Sequence, residues 1–221
     1  MARLDERPVR AHLPVMVEVK ICGLTSPDDA LRCVEAGADA IGLNFWPGSP
    51  RCIDVRNARY IVEAAGDHVQ MVGVFVDFNL SQVREILTET GVQWAQLHGQ
   101  EPPELVAALL PKAYKAIGVE DGSAVALART YPGEHLLLDA SVPGVPGGTG
   151  RTFDWAIAAE VAKERKLTLA GGLHPGNVAR AVTVVRPFRV DVASGVESEP
   201  GRKDPELERR FVEAAKTVVL A

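Results

Sequence analysis

Val17-Glu18-Val19-Lys20-Ile21-Cys22-Gly23-Leu24-Thr25-Ser26-Pro27-Asp28-Asp29 is the stretch whose reading decides the architecture. Residues 17–22 are rich in β-branched and apolar side chains and read as a strand. Four residues on, a helix begins. Ser26 is an N-cap, Pro27 fits the first helical position, and Asp29 places a carboxylate in the first turn. Strand followed by helix is one βα unit.

The unit recurs to the end of the chain. The pattern predicts strands at 17–22, 40–44, 71–76, 94–97, 113–117, 135–139, 167–170 and 190–193. Amphipathic stretches at 27–35, 55–65, 80–90, 102–110, 123–130, 153–164, 175–185 and 204–218 predict the helices between and after them. Continuous apolar runs suit parallel strands buried on both faces. Gly37, Gly66 and Gly91 stand where helix ends take a left-handed residue. Eight strands and eight helices predict a (β/α)8 TIM barrel, one domain over 17–221. A doubly wound open sheet is the alternative. It usually carries a glycine-rich turn after its first strand, where this chain has Gly23 alone.

Composition narrows the function classes. The 221 residues are 47% hydrophobic with a net charge of −5, so no global basic field attracts nucleic acid or an anionic membrane. No apolar run is long enough to span a bilayer. Residues 1–16 hold Arg3, Asp5, Glu6, Arg7 and Arg10 and lack the apolar core of a signal peptide, so a flexible extension is expected there. Three cysteines, Cys22, Cys33 and Cys52, form no paired spacing and no zinc motif. They fit a reducing cytoplasm, with no metal and no cofactor expected. Cys33 reads as an apolar filler of its helix.

A barrel carries its chemistry on the loops after the strands. Cys22, the segment 44–51, His98, Asp139, Gly171-Gly172 and Ser194-Gly195 all fall there. The glycines after strands seven and eight let backbone N–H groups approach a phosphate, helped by a short helix after strand eight. They would also serve as plain tight turns. The glycine-rich segment 144–152 is either a mobile cover or a surface connection. A thiol needs only modestly electropositive surroundings to act as a base near neutral pH. Asp139 ends a run of three leucines, where partial burial would keep a proton on it for general-acid work. A structural cysteine and a turn-capping aspartate are the competing readings.

The chain from residue 17 onward resembles the phosphoribosylanthranilate isomerases, barrel enzymes of tryptophan biosynthesis. The resemblance lies in Lys20-Ile21-Cys22-Gly23-Leu24-Thr25, Ser49-Pro50-Arg51, Val72-Gly73-Val74-Phe75-Val76 and Gln96-Leu97-His98-Gly99. It continues in Pro146-Gly147-Gly148-Thr149-Gly150-Arg151-Thr152-Phe153-Asp154-Trp155, Leu169-Ala170-Gly171-Gly172-Leu173 and Val190-Asp191-Val192-Ala193-Ser194-Gly195-Val196-Glu197. It implies an Amadori rearrangement with Asp139 as acid and Cys22, as thiolate, as base. It further implies Arg51 at the anthranilate carboxylate, His98 lining the site, and Gly171, Gly172, Ser194 and Gly195 at the phosphate, with Asp191 just before them. The implied partner is a small phosphorylated substrate, for a monomer or homodimer with no nucleic acid or membrane. Asn44-Phe45-Trp46-Pro47-Gly48, Ala193, His174 and Gly176 depart from the family's usual residues. A dual-substrate sugar isomerase would place a carboxylate at Cys22. A metal-dependent epimerase would need a His/Asp ligand set. A silent phosphometabolite-binding barrel would not need both Cys22 and Asp139.

Overall fold

In the computed structural model, which describes residues 15–140 and 152–220, eight parallel strands pair in chain order and the last closes on the first. They are β1 Glu18–Cys22, β2 Ala40–Asn44, β3 Gln70–Phe75, β4 Trp94–Leu97, β5 Ala113–Val119, β6 His135–Ala140, β7 Lys166–Leu169 and β8 Arg189–Val192. The helices are α1 Pro27–Glu35, α2 Val55–Ala65, α3 Leu80–Thr90, α4 Pro103–Leu109, α5 Ser123–Thr130, α6 Trp155–Ala162, α7 Val178–Val185 and α8 Pro205–Lys216. This is the expected (β/α)8 barrel. None of the described helices is long and apolar enough to cross a membrane.

Local chemistry starts and stops the helices as anticipated. Ser26 Oγ accepts from Asp29 N at 3.2 Å. Gly91 caps α3 in the left-handed region. Several boundaries differ. α7 begins at Val178 because residues 174–177 form a turn: Asn177 accepts from His174 N and donates to Gly172 O. β5 runs two residues further than expected. Val15–Met16, expected within the flexible extension, pairs antiparallel with Val219–Leu220 outside the barrel. Residues 1–14 and 141–151, hence nearly all of the 144–152 loop, lie outside the described residues.

Successive strand residues face opposite ways, and the apolar side chains accordingly form two cores. Between sheet and helices lie Ile21, Ile41, Met71, Leu97, Leu136 and Leu138, packed with Ile61, Val83 and Phe211 from the helices. Inside the barrel lie Ala40, Val72, Tyr114, Ala116, Leu137 and Ala170. Asp139 is two residues after Leu137, so it also faces inward, at the top. Cys33 fills the outer layer as expected and also donates to the buried Glu208 carboxylate at 3.0 Å.

Leu138 is fully buried between β6 and the helices. Leu138→Ala should lower unfolding free energy by about 2–5 kcal/mol. Urea titration would measure it, and a loss below about 1 kcal/mol would mean that this layer collapses onto the gap.

Candidate active site

The site begins with the side chains that β1 points inward. Lys20 is fully buried, and its ammonium donates to Asp191 Oδ2 at 2.9 Å from the paired position on β8. One inward position higher stands Cys22, whose sulfur feels the charge of Lys20. Room for this trio comes from Gly42, opposite Cys22 on β2. A Cβ at Gly42 would stand 2.5 Å from Cys22 Sγ and 3.0 Å from Lys20 Nζ.

The electrostatics correct one expectation. Burial pushes the Cys22 thiol above the ordinary thiol range, Lys20 pulls it back, and Asp191 pushes it up again. The net direction is upward, so the free site does not hold a ready thiolate at neutral pH. The cause is desolvation, together with a lysine charge already committed to Asp191. Burial also opposes the Lys20 charge, but Asp191 and Cys22 keep it above the usual lysine range.

Asp139 tops β6 and is 6% exposed. His98 Nε2 lies 3.5 Å from Asp139 Oδ2, in ion-pair range but too long for a strong hydrogen bond. Gln96 sets the ring. Its Oε1 accepts from the Tyr114 hydroxyl at 3.1 Å, and its amide stands 3.0 Å from His98 Nδ1. That network assigns the ring hydrogen to Nε2, facing Asp139. Burial pushes Tyr114 up to about 12, so the phenol remains a donor. Beneath the loop, Lys115 Nζ donates to Leu97 O, Gly99 O and Ala116 O and pairs with the buried Glu101 at 3.1 Å. Glu101 in turn accepts from Gly99 N and Asp77 N.

Loop seven presses on the acid. Gly171 has φ +87°, and a Cβ there would lie 2.4 Å from Ala140 N and 2.9 Å from Asp139 Oδ1. After β8 the expected short helix is a single 3-10 turn, Ser194–Val196. Arg51 approaches from the β2 loop. Its Nε and Nη2 donate to Glu197 Oε1 and Oε2 at 2.8 and 2.6 Å. Glu197 also accepts from Lys203 at 2.8 Å. In the departing segment, Asn44 Oδ1 accepts from Trp46 N at 2.8 Å and turns the chain away from the barrel.

All nine side chains and glycines singled out from sequence line one open cleft: Cys22, Arg51, His98, Asp139, Gly171, Gly172, Asp191, Ser194 and Gly195. Glu197, Lys203, Gln96 and Lys115 were not singled out. Gln96 and Glu197 sat inside quoted blocks, and of the four they alone had a local signal. Among the described residues, no group of three or more His, Cys, Asp or Glu side chains could hold a metal ion. The cleft therefore pairs a carboxyl group with a thiol across the barrel mouth and adds an arginine and two glycine-rich loops. It can move protons on a small anionic substrate.

Comparison with known proteins agrees with this chemistry. Residues 19–214 match the family model described as N-(5'-phosphoribosyl)anthranilate (PRA) isomerase. A relative from Citrifermentans bemidjiense, named N-(5'-phosphoribosyl)anthranilate isomerase, is 44% identical over 205 residues, covering 93% of this chain and 100% of its own. One from Geobacter sp. strain M21, of the same name, is 46% identical over 201 residues, covering 91% and 98%. The Thermotoga maritima phosphoribosyl anthranilate isomerase structure superposes with a TM-score of 0.83 at 40% identity, covering 92% of this chain and 100% of that one. A further structure of that enzyme name, in complex with reduced 1-(o-carboxyphenylamino)-1-deoxyribulose 5-phosphate, gives 0.80 at 38% identity with the same coverage.

The pH dependence of Cys22 alkylation by iodoacetamide, measured in a Cys52→Ser background, should have its midpoint above the ordinary thiol value of about 8.5. Asp191→Asn should move that midpoint down, because Asp191 disfavours the thiolate. A native midpoint below the ordinary value, or an upward shift in Asp191→Asn, would contradict the electrostatic assignment.

Proposed function

This chain belongs to the N-(5'-phosphoribosyl)anthranilate isomerase family, and we propose from the geometry of its cleft that Asp139 is the general acid and Cys22 the general base of the reaction. The activity is the isomerisation of N-(5-phosphoribosyl)anthranilate to 1-(2-carboxyphenylamino)-1-deoxyribulose 5-phosphate in tryptophan biosynthesis. The single observation that carries the assignment of roles is that the thiol and the carboxyl group line one cleft together with both glycine-rich loops.

The steps follow from what each group can do. Asp139 gives its proton to the furanose ring oxygen. The C1–O bond breaks as the anthranilate nitrogen supplies its lone pair, leaving an open-chain Schiff base. Cys22 first loses its thiol proton to solvent; the thiolate then takes the proton from C2, and the C–H electrons flow to the iminium nitrogen to give an enolamine. The enol hydroxyl then loses its proton as C1 gains one, which yields the ketone. Lys20 lies against the sulfur and offsets its charge when the thiol ionises. His98 turns its Nε2 hydrogen toward Asp139 and the reacting oxygen.

Binding divides between the substrate's two anions. Backbone N–H groups around Gly171, Gly172, Ser194 and Gly195 take the phosphate, since glycine allows close approach. Arg51 takes the carboxylate of the anthranilate ring, the planar anion to which a guanidinium is matched. Asp191 acts through Lys20. The three free thiols suit a cytoplasmic setting.

Cys22→Ala and Asp139→Asn should each lower kcat by at least about a hundredfold, the lower end of general acid–base contributions. Binding of the reduced product analogue should change little in either. Near-native turnover in one of them would move that role to another residue on the rim. Only protons move, so EDTA should leave the native rate unchanged. A loss that a divalent ion restores would overturn the metal-free mechanism.

A further inference from the structure

Glu197 and Lys203 belong to a short hairpin after β8, in which Glu197–Glu199 pairs with Arg202–Lys203 and Glu197 stands opposite Lys203. Both side chains are nearly or fully buried, and the Arg51 side chain is 13% exposed. Arg51 lies 146 residues away in sequence, and its guanidinium meets the Glu197 carboxylate through two hydrogen bonds. Lys203 adds a third, and it also donates to Cys22 O at 2.6 Å and Ala193 O at 3.1 Å. The hairpin is tied to the β1 loop as well, where Thr25 Oγ1 donates to Gly201 O at 2.7 Å.

We propose that Glu197 is a positioning residue that sets the cleft's preference for a substrate carrying a carboxylate next to its aryl amine. The inference rests on the reading of Arg51 given above. Glu197 occupies the Nε and Nη2 edge of the guanidinium. Among the described residues, the end formed by Nη1 and the outer Nη2 hydrogen remains for a second planar anion. Two cations share one carboxylate, so the group as a whole keeps a single positive charge beside the cleft. Burial pushes Glu197 up, but Arg51 and Lys203 outweigh it and hold the carboxyl below the usual range, so it is ionised across the working pH range. A flexible arginine would have to be ordered at each binding event. One locked by a bidentate pair is ordered beforehand.

The test compares two substrates, phosphoribosylanthranilate and its carboxylate-free counterpart made from aniline, in native protein, Arg51→Met and Glu197→Gln. Native kcat/KM should favour the carboxylated substrate by at least about a hundredfold, and Arg51→Met should lose most of that preference. Glu197→Gln should lose roughly tenfold of it through a higher KM for the carboxylated substrate. Its kcat/KM for the aniline compound should stay within about threefold of native, a split that mere loss of folding would not produce. If Glu197→Gln weakens both substrates alike, Glu197 only supports the fold and the inference falls. If the preference is unchanged or rises, Glu197 is a counter-charge and the inference falls. If Arg51→Met keeps the native preference, the reading of Arg51 fails first and takes this inference with it. Should Glu197→Gln not fold, Glu197→Asp keeps the ion pair with Lys203, shortens the reach to Arg51, and reads the same preference.

Discussion

The barrel is held in register at its seam by charge. Closure brings the first strand beside the last, and there two ion pairs cross from β1 to β8: Glu18 with Arg189 and Lys20 with Asp191. A slip of one residue would turn Lys20 outward into the apolar layer under the helices. Buried pairs add little net stability against well-packed apolar residues, but removing one partner typically costs about 3–5 kcal/mol. That penalty enforces one register, and the register puts the Cys22 loop beside the loop after β8. Cys22, Asp191 and the loop after β8 are neighbours because the seam closes in this way.

The same pair ties structure to chemistry. Lys20 cannot give its whole charge to Cys22 while Asp191 holds it. The thiol is therefore kept protonated in the free cleft, and Lys20 is at hand to offset the sulfur's charge once the thiol proton has left. A thiol held protonated is also less open to adventitious reaction, since the thiolate is the reactive form. On the far side, the Tyr114–Gln96–His98 chain and the Lys115–Glu101 pair hold the β4 loop against Asp139. Cys22 and Asp139 are thus each backed by side chains inside or beneath the barrel, so the rim positions do not depend on loop conformation alone.

The alternation of apolar runs and amphipathic stretches was enough to read the barrel, because parallel strands and their helices carry strong local periodicities. Cys22 and Asp139 were legible for a related reason, since the end of a strand lies at the rim; the loop residues followed from their place after the strands, and Asp191 and the role of Arg51 from the resemblance. The Glu197–Lys203 hairpin was not legible. Its strands are three and two residues long, too short for a periodic signal, and its ionic partner Arg51 is remote in sequence. The electrostatics of Cys22 were not legible, because burial and the competing claim of Asp191 on Lys20 belong to the closed barrel. Helix α7 was expected three residues too early because Pro175 resembles a helix start, whereas the Asn177 side chain closes a turn there first.

The most direct measurement is a crystal structure of the native protein soaked with reduced 1-(2-carboxyphenylamino)-1-deoxyribulose 5-phosphate. The account predicts the phosphate on the backbone N–H groups of the loops after β7 and β8. The carbon corresponding to sugar C2 should lie roughly 3–3.5 Å from Cys22 Sγ, with Asp139 on the opposite side of the chain near the former ring oxygen. A phosphate seated on Arg51, or a ligand with Cys22 and Asp139 on the same side of C2, would contradict it.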